Sequence, residues 1–287
     1  MKDTSLIIGA DGFIGGALAQ LFSGRAQPFV ATTRRQDSVS PKDIHLNLAE
    51  VPENWELPFK FEAAYICAGV SSYEECRRNP ASSRLINVTN TSKIARRLVE
   101  SNVFVVYLSS NAVFDGGIPY CKTSDAVSPQ TEYGRQKADA EDQLLKLGEK
   151  ICIVRLTKVF SKKPQLLMEW ISRLQNGEPI HPFRDLTCAP LLLDNVAETL
   201  VSIARKKLPG IWHFSGDRDI TYAELAHLLI SRLHKDPSLV QPVSVKTSPF
   251  YLEHVPAHTT LDCSGLTAKL GIEPPLVREI IDSLAPI

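Results

Sequence analysis

A glycine-rich turn near the start of the chain constrains the fold more than any other feature of the sequence. Gly9, Gly12 and Gly15 follow a short apolar run and open a segment with helical periodicity. Glycine permits a tight turn and lets other backbone atoms come close, so amide groups at the start of the helix can point at a diphosphate. The spacing differs from the commoner G-x-G-x-x-G pattern, and a simple strand-to-helix turn is the alternative.

Short apolar runs alternate with longer segments of helical periodicity along the chain. The pattern predicts an α/β fold with a doubly wound parallel sheet of the Rossmann type. A dinucleotide-binding domain is predicted over 1–160 and a smaller substrate-binding lobe over 161–287, with some segments returning to the first domain. Strands are predicted at 4–9, 28–33, 43–47, 62–68, 103–109 and 151–155, and helices at 13–24, 80–101, 131–148, 163–176, 194–206 and 221–234.

Within the predicted helix 80–101, five apolar side chains are expected to share one face and enter the core: Leu85, Val88, Ala95, Leu98 and Val99.

Charge and cysteine content narrow the classes of partner. Lys plus Arg and Asp plus Glu are equal at 32 each, which gives no reason to expect nucleic acid or an anionic membrane as a partner. The 6 cysteines lack the C-x-x-C spacing of a metal or redox site, so reduced thiols and no metal are predicted. The N-terminus does not resemble a signal peptide, and no apolar stretch approaches the length of a membrane span, so a cytoplasmic location is expected.

Two arginines at the end of the second predicted strand bear on the choice of dinucleotide. A carboxylate there usually accepts from the free ribose 2′-hydroxyl of NAD. Here the stretch ends Thr33-Arg34-Arg35, and guanidinium groups suit a 2′-phosphate. NADP(H) is therefore preferred. NAD(H) stays the alternative, because the arginines could be solvated and Asp37 lies two residues further on.

A serine, a tyrosine and a lysine suggest acid-base chemistry. Tyr133 and Lys137 are one helical turn apart, so they share a helix face. A nearby positive charge is expected to lower the pKa of a phenol from about 10. Ser110 ends the fifth strand at the carboxyl edge of the sheet, where ligands of doubly wound folds bind. Separately, these residues could be a turn serine, a helix N-terminal aromatic and a solvated charge.

One block of motifs resembles the extended short-chain dehydrogenases/reductases, and within them the dTDP-4-dehydrorhamnose reductase family. The block runs from Leu108 to Gly116 as LSSNAVFDG, continues through Pro119-Tyr120 and Pro129, and ends with Tyr133-Gly134-Arg135-Gln136-Lys137 and Glu141. Further segments of the chain also resemble this family: Cys67-Ala68-Gly69, Asp185, Pro190, Asp194-Asn195-Val196-Ala197, Pro256 and Thr259-Thr260-Leu261-Asp262.

The resemblance implies that Ser110 binds a substrate oxygen, that Tyr133 exchanges its proton, and that Lys137 tunes Tyr133 and holds the nicotinamide ribose. It extends over nearly the whole length and implies a nucleotide-linked sugar as substrate. Homodimers are common in that superfamily, and the oligomeric state stays open. The predicted cofactor contacts are Gly9, Asp11, Gly12, Phe13, Ile14, Thr33, Arg34, Arg35, Asn47, Leu48, Cys67, Ala68, Gly69, Tyr133 and Lys137.

The chain departs from the family pattern where the substrate is expected. Asn111 replaces an aspartate, and Lys158 replaces a tryptophan beside the sugar. Further departures are Ser161, Leu186 and Cys188. Ser110, Asn111 and Lys158 are the predicted substrate contacts, but the sugar itself stays open. The hypotheses are an NADPH-dependent keto-sugar reductase, a nucleotide-sugar epimerase, or a regulatory subunit like the beta subunit of methionine adenosyltransferase.

Overall fold

The structure is a computed structural model that describes residues 4–35, 43–51, 55, 57, 60–247 and 252–283. The chain divides into two compact units. Unit 1 comprises Met1–Val113, Ala126–Arg155 and Asp194–Trp212, and unit 2 comprises Phe114–Asp125, Leu156–Leu193 and His213–Ile287.

The strands are β1 Ser5–Ile8, β2 Phe29–Thr33, β3 Ile44–His45, β4 Ala63–Ile66, β5 Phe104–Ser110, β6 Ile151–Leu156, β7 Lys158–Phe160, β8 Thr187–Cys188, β9 Pro190–Leu192, β10 Gly210–Phe214 and β11 Ile220–Thr221. The helices are α1 Phe13–Gly24, α2 Tyr73–Arg78, α3 Pro80–Arg84, α4 Thr91–Glu100, α5 Glu132–Leu145, α6 Gln165–Gln175, α7 Leu193–Lys206, α8 Tyr222–Arg232, α9 Ser264–Leu270 and α10 Val277–Ser283.

A seven-stranded parallel sheet confirms the predicted Rossmann-type fold. Its strand order is β10-β6-β5-β4-β1-β2-β3. The inner strands β1, β4, β5 and β6 are buried along their whole length, as expected for a parallel sheet covered on both faces. The order reverses at β1, which pairs with β2 on one side and β4 on the other. Ligands of doubly wound folds bind at the carboxyl edge near such a reversal.

The helix predicted over 80–101 is interrupted, which corrects one part of the sequence interpretation. Residues Leu85–Asn90 form a π-helical turn between α3 and α4. A π-helical turn widens the hydrogen-bonding step to five residues and so shifts the helical phase. Leu85, predicted to be in the core, is consequently 40% exposed. Helix α2, which has 6 residues and Ser72 as its N-cap, was not predicted from the sequence.

Unit 2 has its own apolar core and only short strands. β7 pairs with β9 in parallel, and β8 pairs with β11 antiparallel. Helices α6, α8 and α10 supply most of the core through residues such as Leu167, Leu174, Leu225, Leu229 and Ile280. None of the helices in the described ranges combines the length and the apolar character that crossing a bilayer requires.

Candidate active site and cofactor cavity

The glycine turn after β1 has a geometry that larger residues cannot adopt. Gly9 has a φ of +88°, in the left-handed region, and a Cβ there would lie 2.7 Å from the backbone nitrogen of Ala68. A Cβ on Gly15 would lie 2.2 Å from the carbonyl oxygen of Gly9. Both distances are far below van der Waals contact. The turn therefore needs glycine both for its backbone conformation and for the close approach of α1 to β1.

The N-terminus of α1 leaves backbone amides available for a ligand. Gly12 is the N-cap, and α1, which is described in full, has no side-chain cap and no acidic residue in its first turn. Unpaired amides at a helix start favour an anion. Phe13, the first residue of the helix, is 53% exposed, and Ile14 is half-buried.

A cavity of about 250 Å³ lies beside this turn in unit 1. It includes ten of the residues predicted to contact a cofactor: Gly9, Asp11, Gly12, Arg34, Arg35, Asn47, Leu48, Cys67, Ala68 and Gly69. Its remaining lining residues, which the sequence interpretation did not include, are Thr32, Leu46, Ala49, Val70 and Ile86. Ile86 belongs to the π-helical turn, so its position depended on an irregularity that helical periodicity does not reveal.

The end of β2 is tied to the glycine turn by threonine hydroxyls. The Oγ1 of Thr33 donates to Oδ2 of Asp11 at 2.6 Å and accepts from the amide of Arg35 at 3.0 Å. The amide of Gly9 donates to Oγ1 of Thr32 at 3.0 Å. These bonds fix the backbone that carries the two arginines. Asp37 lies outside the described residues.

Ser110 and Tyr133 are brought together by a close approach between β5 and α5. A Cβ on Gly134 would lie 2.2 Å from the carbonyl oxygen of Ala112, just beyond the end of β5. Thr131 caps α5 by accepting from the amide of Gly134 at 3.0 Å. Ser110 lies close enough to Tyr133 to lower the pKa of its phenol, and both residues are buried. The spacing seen in the sequence thus places hydroxyl and phenol at one point of unit 1.

Lys137 is buried and turned toward β5. Its Nζ donates to the carbonyl oxygen of Leu108 at 2.8 Å and to the phenol oxygen of Tyr107 at 3.1 Å. Burial lowers the pKa of Lys137 to about 8, although Glu141 opposes the shift. The Nζ lies 5.9 Å from the centre of the Tyr133 ring. An ammonium has three donors, so one remains beyond these two bonds.

The expectation that Lys137 lowers the pKa of Tyr133 is wrong for this structure. Burial raises the pKa of Tyr133 well above its usual value, and the nearby Tyr73 raises it further, while the Ser110 hydroxyl only partly opposes them. The rings of Tyr73 and Tyr133 are 5.0 Å apart between centroids. The phenol is therefore neutral at physiological pH. It can donate a proton but is a poor base before a ligand binds.

A buried ion pair supports the strand that carries Ser110. Arg155 donates to the Glu141 carboxylate at 3.0 Å through Nε and at 2.6 Å through an Nη. Ser109 donates a short hydrogen bond to the same carboxylate. The Arg155 and Glu141 side chains are 3% and 4% exposed. The pair joins β5, α5 and β6 beneath the candidate active site.

The remaining predicted substrate contacts lie in different units. Asn111 begins a short 3-10 turn in unit 1, and its Oδ1 accepts from Ser110 at 3.5 Å. Lys158 is an exposed residue at the start of β7 in unit 2, with its Nζ 5.9 Å from the Phe160 ring. Within the described residues, no group of three or more His, Cys, Asp or Glu is arranged to hold a metal ion.

The fold is that of the extended short-chain dehydrogenases/reductases. Residues 3–285 match the family described as RmlD substrate binding domain, and the chain belongs to that family.

Two curated relatives of similar identity have different names. A dTDP-4-dehydrorhamnose reductase from Aggregatibacter actinomycetemcomitans is 24% identical over 94% of each chain. Methionine adenosyltransferase 2 subunit beta from Mus musculus is 26% identical over 98% of this chain and 87% of the relative. Among solved structures, dTDP-4-dehydrorhamnose reductase from Bacillus anthracis, in complex with NADP, has a TM-score of 0.82 at 18% identity and covers 99% of this chain and 98% of its own.

Proposed function

We propose that this protein is an NADPH-dependent reductase of a keto group on a nucleotide-linked sugar. The observation that carries the proposal is the meeting of Ser110 and Tyr133 at the carboxyl end of β5, with Lys137 buried one turn along α5. A neutral phenol, a hydroxyl and a low-pKa ammonium in one place suit proton transfer to a carbonyl oxygen. The reductases among the relatives support the same reading.

The cavity beside the glycine turn fits a dinucleotide. The N-terminus of α1 has no side-chain cap and no acidic residue in its first turn, so its amides can bind a diphosphate. Arg34 and Arg35 line the same cavity and carry the charge that a 2′-phosphate requires. When bound, NADPH would supply a hydride to the carbonyl carbon of the substrate.

The protein side chains would then bind the carbonyl oxygen of the substrate and supply its proton. Ser110 donates a hydrogen bond to the carbonyl oxygen, and Tyr133 transfers its phenolic proton to that oxygen as it becomes negative. The raised pKa of Tyr133 keeps this proton in place before the reaction. Lys137 uses its remaining donor on the ribose hydroxyls.

The altered substrate wall limits how far the relatives' substrate applies. Asn111 carries no charge, so it supports reduction or epimerisation over a dehydration that requires an acid beside the hydroxyl. We assign Lys158 to an anionic group of the substrate, because its exposed ammonium replaces a tryptophan in the family pattern. A nucleotide-sugar epimerase could use the same three side chains and is the alternative enzyme.

A second candidate function is that of a nucleotide-binding subunit without turnover. The specific observation that favours it is the likeness to methionine adenosyltransferase 2 subunit beta, which spans 98% of this chain. Such a subunit would bind the dinucleotide in the same cavity but would need a partner protein to act.

The substitution Tyr133→Phe separates these functions. The assay uses purified protein, NADPH and a panel of keto-sugar nucleotides. If the protein is a reductase, kcat of the variant should be at least about 100-fold below that of the wild type, because the proton donor is removed. Cofactor affinity, measured by fluorescence titration, should be nearly unchanged. Tyr222→Phe is the matched control, since burial also raises the pKa of that phenol, but it lies on α8 in unit 2.

Three outcomes would count against the proposal. If no keto-sugar nucleotide oxidises NADPH while the wild type binds it and co-purifies with a stable partner, the subunit function is favoured. If turnover proceeds with no net oxidation of NADPH, the epimerase is favoured. Equal affinity for NADH and NADPH would contradict the role given to Arg34 and Arg35.

A further inference from the structure

The π-helical turn Leu85–Asn90 is the one irregular turn in the described path from Pro80 to Glu100. Turns of this kind interrupt regular helical hydrogen bonding and frequently occur at functional sites. Here the turn contributes Ile86 directly to the wall of the cavity. Thr91 Oγ1 donates to the carbonyl oxygen of Ile86 at 2.8 Å and so satisfies that group.

Asn87, in the middle of the turn, reaches the loop that follows β4. Its Oδ1 accepts from the amide of Val70 at 2.7 Å, and its Nδ2 donates to the carbonyl oxygen of Val70 at 2.9 Å. A Cβ on Gly69 would lie 3.0 Å from the same Oδ1. Gly69 and Val70 both line the cavity. One carboxamide therefore fixes the backbone of the cavity wall from behind.

The same carboxamide also contacts the helix of the candidate active site. Asn87 Nδ2 donates to Oε1 of Gln136 at 2.8 Å, and both residues are buried. Gln136 lies on α5 immediately before Lys137 and three residues after Tyr133. The network continues from Gln136 Nε2 to Ser83 Oγ at 2.8 Å and to Glu132 Oε1 at 3.0 Å. An unmade bond in such a buried network is costly, so its geometry is well defined.

Asn90, at the end of the turn, contacts another part of the cavity wall. Its Nδ2 donates to the carbonyl oxygen of Leu48 at 2.7 Å, and Leu48 lines the cavity after β3. Asn90 thus resembles Asn87 in chemistry and position, but its amide group donates to the cavity wall and not to α5.

From this geometry we propose that the π-helical turn couples the cofactor cavity to α5, with Asn87 as the positioning residue that links Val70 to Gln136. A dinucleotide that orders the wall at Gly69 and Val70 would then also order the segment that carries Tyr133 and Lys137. The inference rests on the proposed function, because it requires a dinucleotide in the cavity.

The test compares Asn87→Asp with Asn90→Asp in the full-length protein. Aspartate keeps the size and one acceptor of asparagine but removes the amide donors. In Asn87→Asp the bonds to the Val70 carbonyl and to Gln136 are lost, whereas in Asn90→Asp only the bond to Leu48 is lost. Amide hydrogen exchange of residues 132–137 is measured with and without NADPH, together with the affinity for NADPH and kcat.

In the wild type and in Asn90→Asp, NADPH should slow exchange in 132–137. In Asn87→Asp this slowing should disappear at saturating NADPH, and kcat should fall by roughly 10-fold to 100-fold through misplacement of the reacting groups. Gln136→Met, which removes the contact from the α5 side, should reproduce the loss of coupling. This second variant keeps the test usable if Asn87→Asp folds poorly.

Retained slowing in both Asn87→Asp and Gln136→Met overturns the inference. So does an equal loss of slowing in Asn90→Asp, because the coupling would then not depend on the link to α5. A wild type that binds and oxidises NADPH without slower exchange in 132–137 overturns this inference alone. A wild type that does not bind NADPH overturns the proposed function as well.

Discussion

Different kinds of contact stabilise the interior of each unit. In unit 1 the candidate site lies where parallel strands end, so the sheet itself sets the positions of the glycine turn and Ser110. In unit 2 the strands β7, β8, β9 and β11 are only 2 or 3 residues long. Individual carboxylates fix the loops of this unit.

Three aspartates carry most of that work in unit 2. Asp185 accepts from the amide of Val245, Asp217 from the amide of Val277, and Asp219 from the amides and hydroxyls of Thr259 and Thr260. The difference teaches that the sheet of unit 1 gains its geometry from many equivalent backbone pairs, to which buried side chains such as Arg155 are added, whereas the loops of unit 2 depend mainly on single side chains. Substitutions in the two units should therefore differ in kind.

The largest effect is expected from Arg155→Met in unit 1. The change leaves the Glu141 carboxylate buried with its cation removed, and breaking a buried pair in this way costs about 3–5 kcal/mol in the free energy of unfolding. Urea unfolding measures the loss. The double variant with Glu141→Met is the control, because removing both charges should recover much of the stability. A cost below about 1 kcal/mol for the single variant would show that the sheet alone holds β5 and β6.

A smaller and pH-dependent effect is expected from Asp219→Asn in unit 2. Burial would raise the pKa of Asp219, but the hydrogen bonds from Thr259, Thr260 and His258 outweigh it and lower that pKa below its usual value. A carboxyl group whose pKa is lower in the folded state stabilises the fold above its unfolded pKa, near 4, and loses this contribution as the pH falls through the folded pKa. The variant should cost about 1–3 kcal/mol at pH 7.

The melting temperature of wild type and variant, followed from pH 7 to below pH 4, checks this sign. The gap between the two proteins should narrow as the pH falls. Asp236→Asn is the control, because that exposed carboxylate bonds to the amide of Ser238, only two residues away. A gap that stays constant with pH would mean that shape, and not charge, makes Asp219 important.

The smallest effect on stability is expected from removing one threonine cap in each unit. Thr131 caps α5 and Thr221 caps α8, and the second forms a full capping box with Glu224. Thr131→Ala and Thr221→Ala should each cost about 1 kcal/mol in thermal unfolding. Only Thr131→Ala should also reduce turnover, because α5 carries Tyr133 and Lys137. Equal loss of turnover in both variants would contradict the separation of roles.

Much of unit 1 could be predicted because its signals are local. Short apolar runs that alternate with helical segments predicted the strands of the sheet. The proximity of Ser110 and Tyr133 could be predicted because Ser110 ends a strand and Tyr133 lies at the start of a following helix. The π-helical turn was missed because its residues keep the composition of an ordinary helix. The raised pKa of Tyr133 was missed because burial, its main cause, depends on neighbours such as Tyr73 that are distant in sequence.

The contacts of unit 2 are harder to predict for a related reason. Asp219 bonds to residues 40 and 41 positions away, and Asp217 to one 60 positions away. Aspartates are common in loops, and nothing in the local pattern distinguishes one that will anchor a distant segment from one that faces water. The departures at Lys158 and Cys188 were visible in the sequence, but their consequence depends on the substrate.

The interleaving of the two units has a consequence for synthesis on the ribosome. Unit 1 ends only at Trp212, and β10, the neighbour of β6 in the sheet, begins at Gly210. At typical translation rates, the interval between the completion of β6 at Leu156 and the completion of β10 at Phe214 is on the order of 3 to 12 s. During that time the nascent chain exposes the edge of β6, which is a site where strands of other chains can pair.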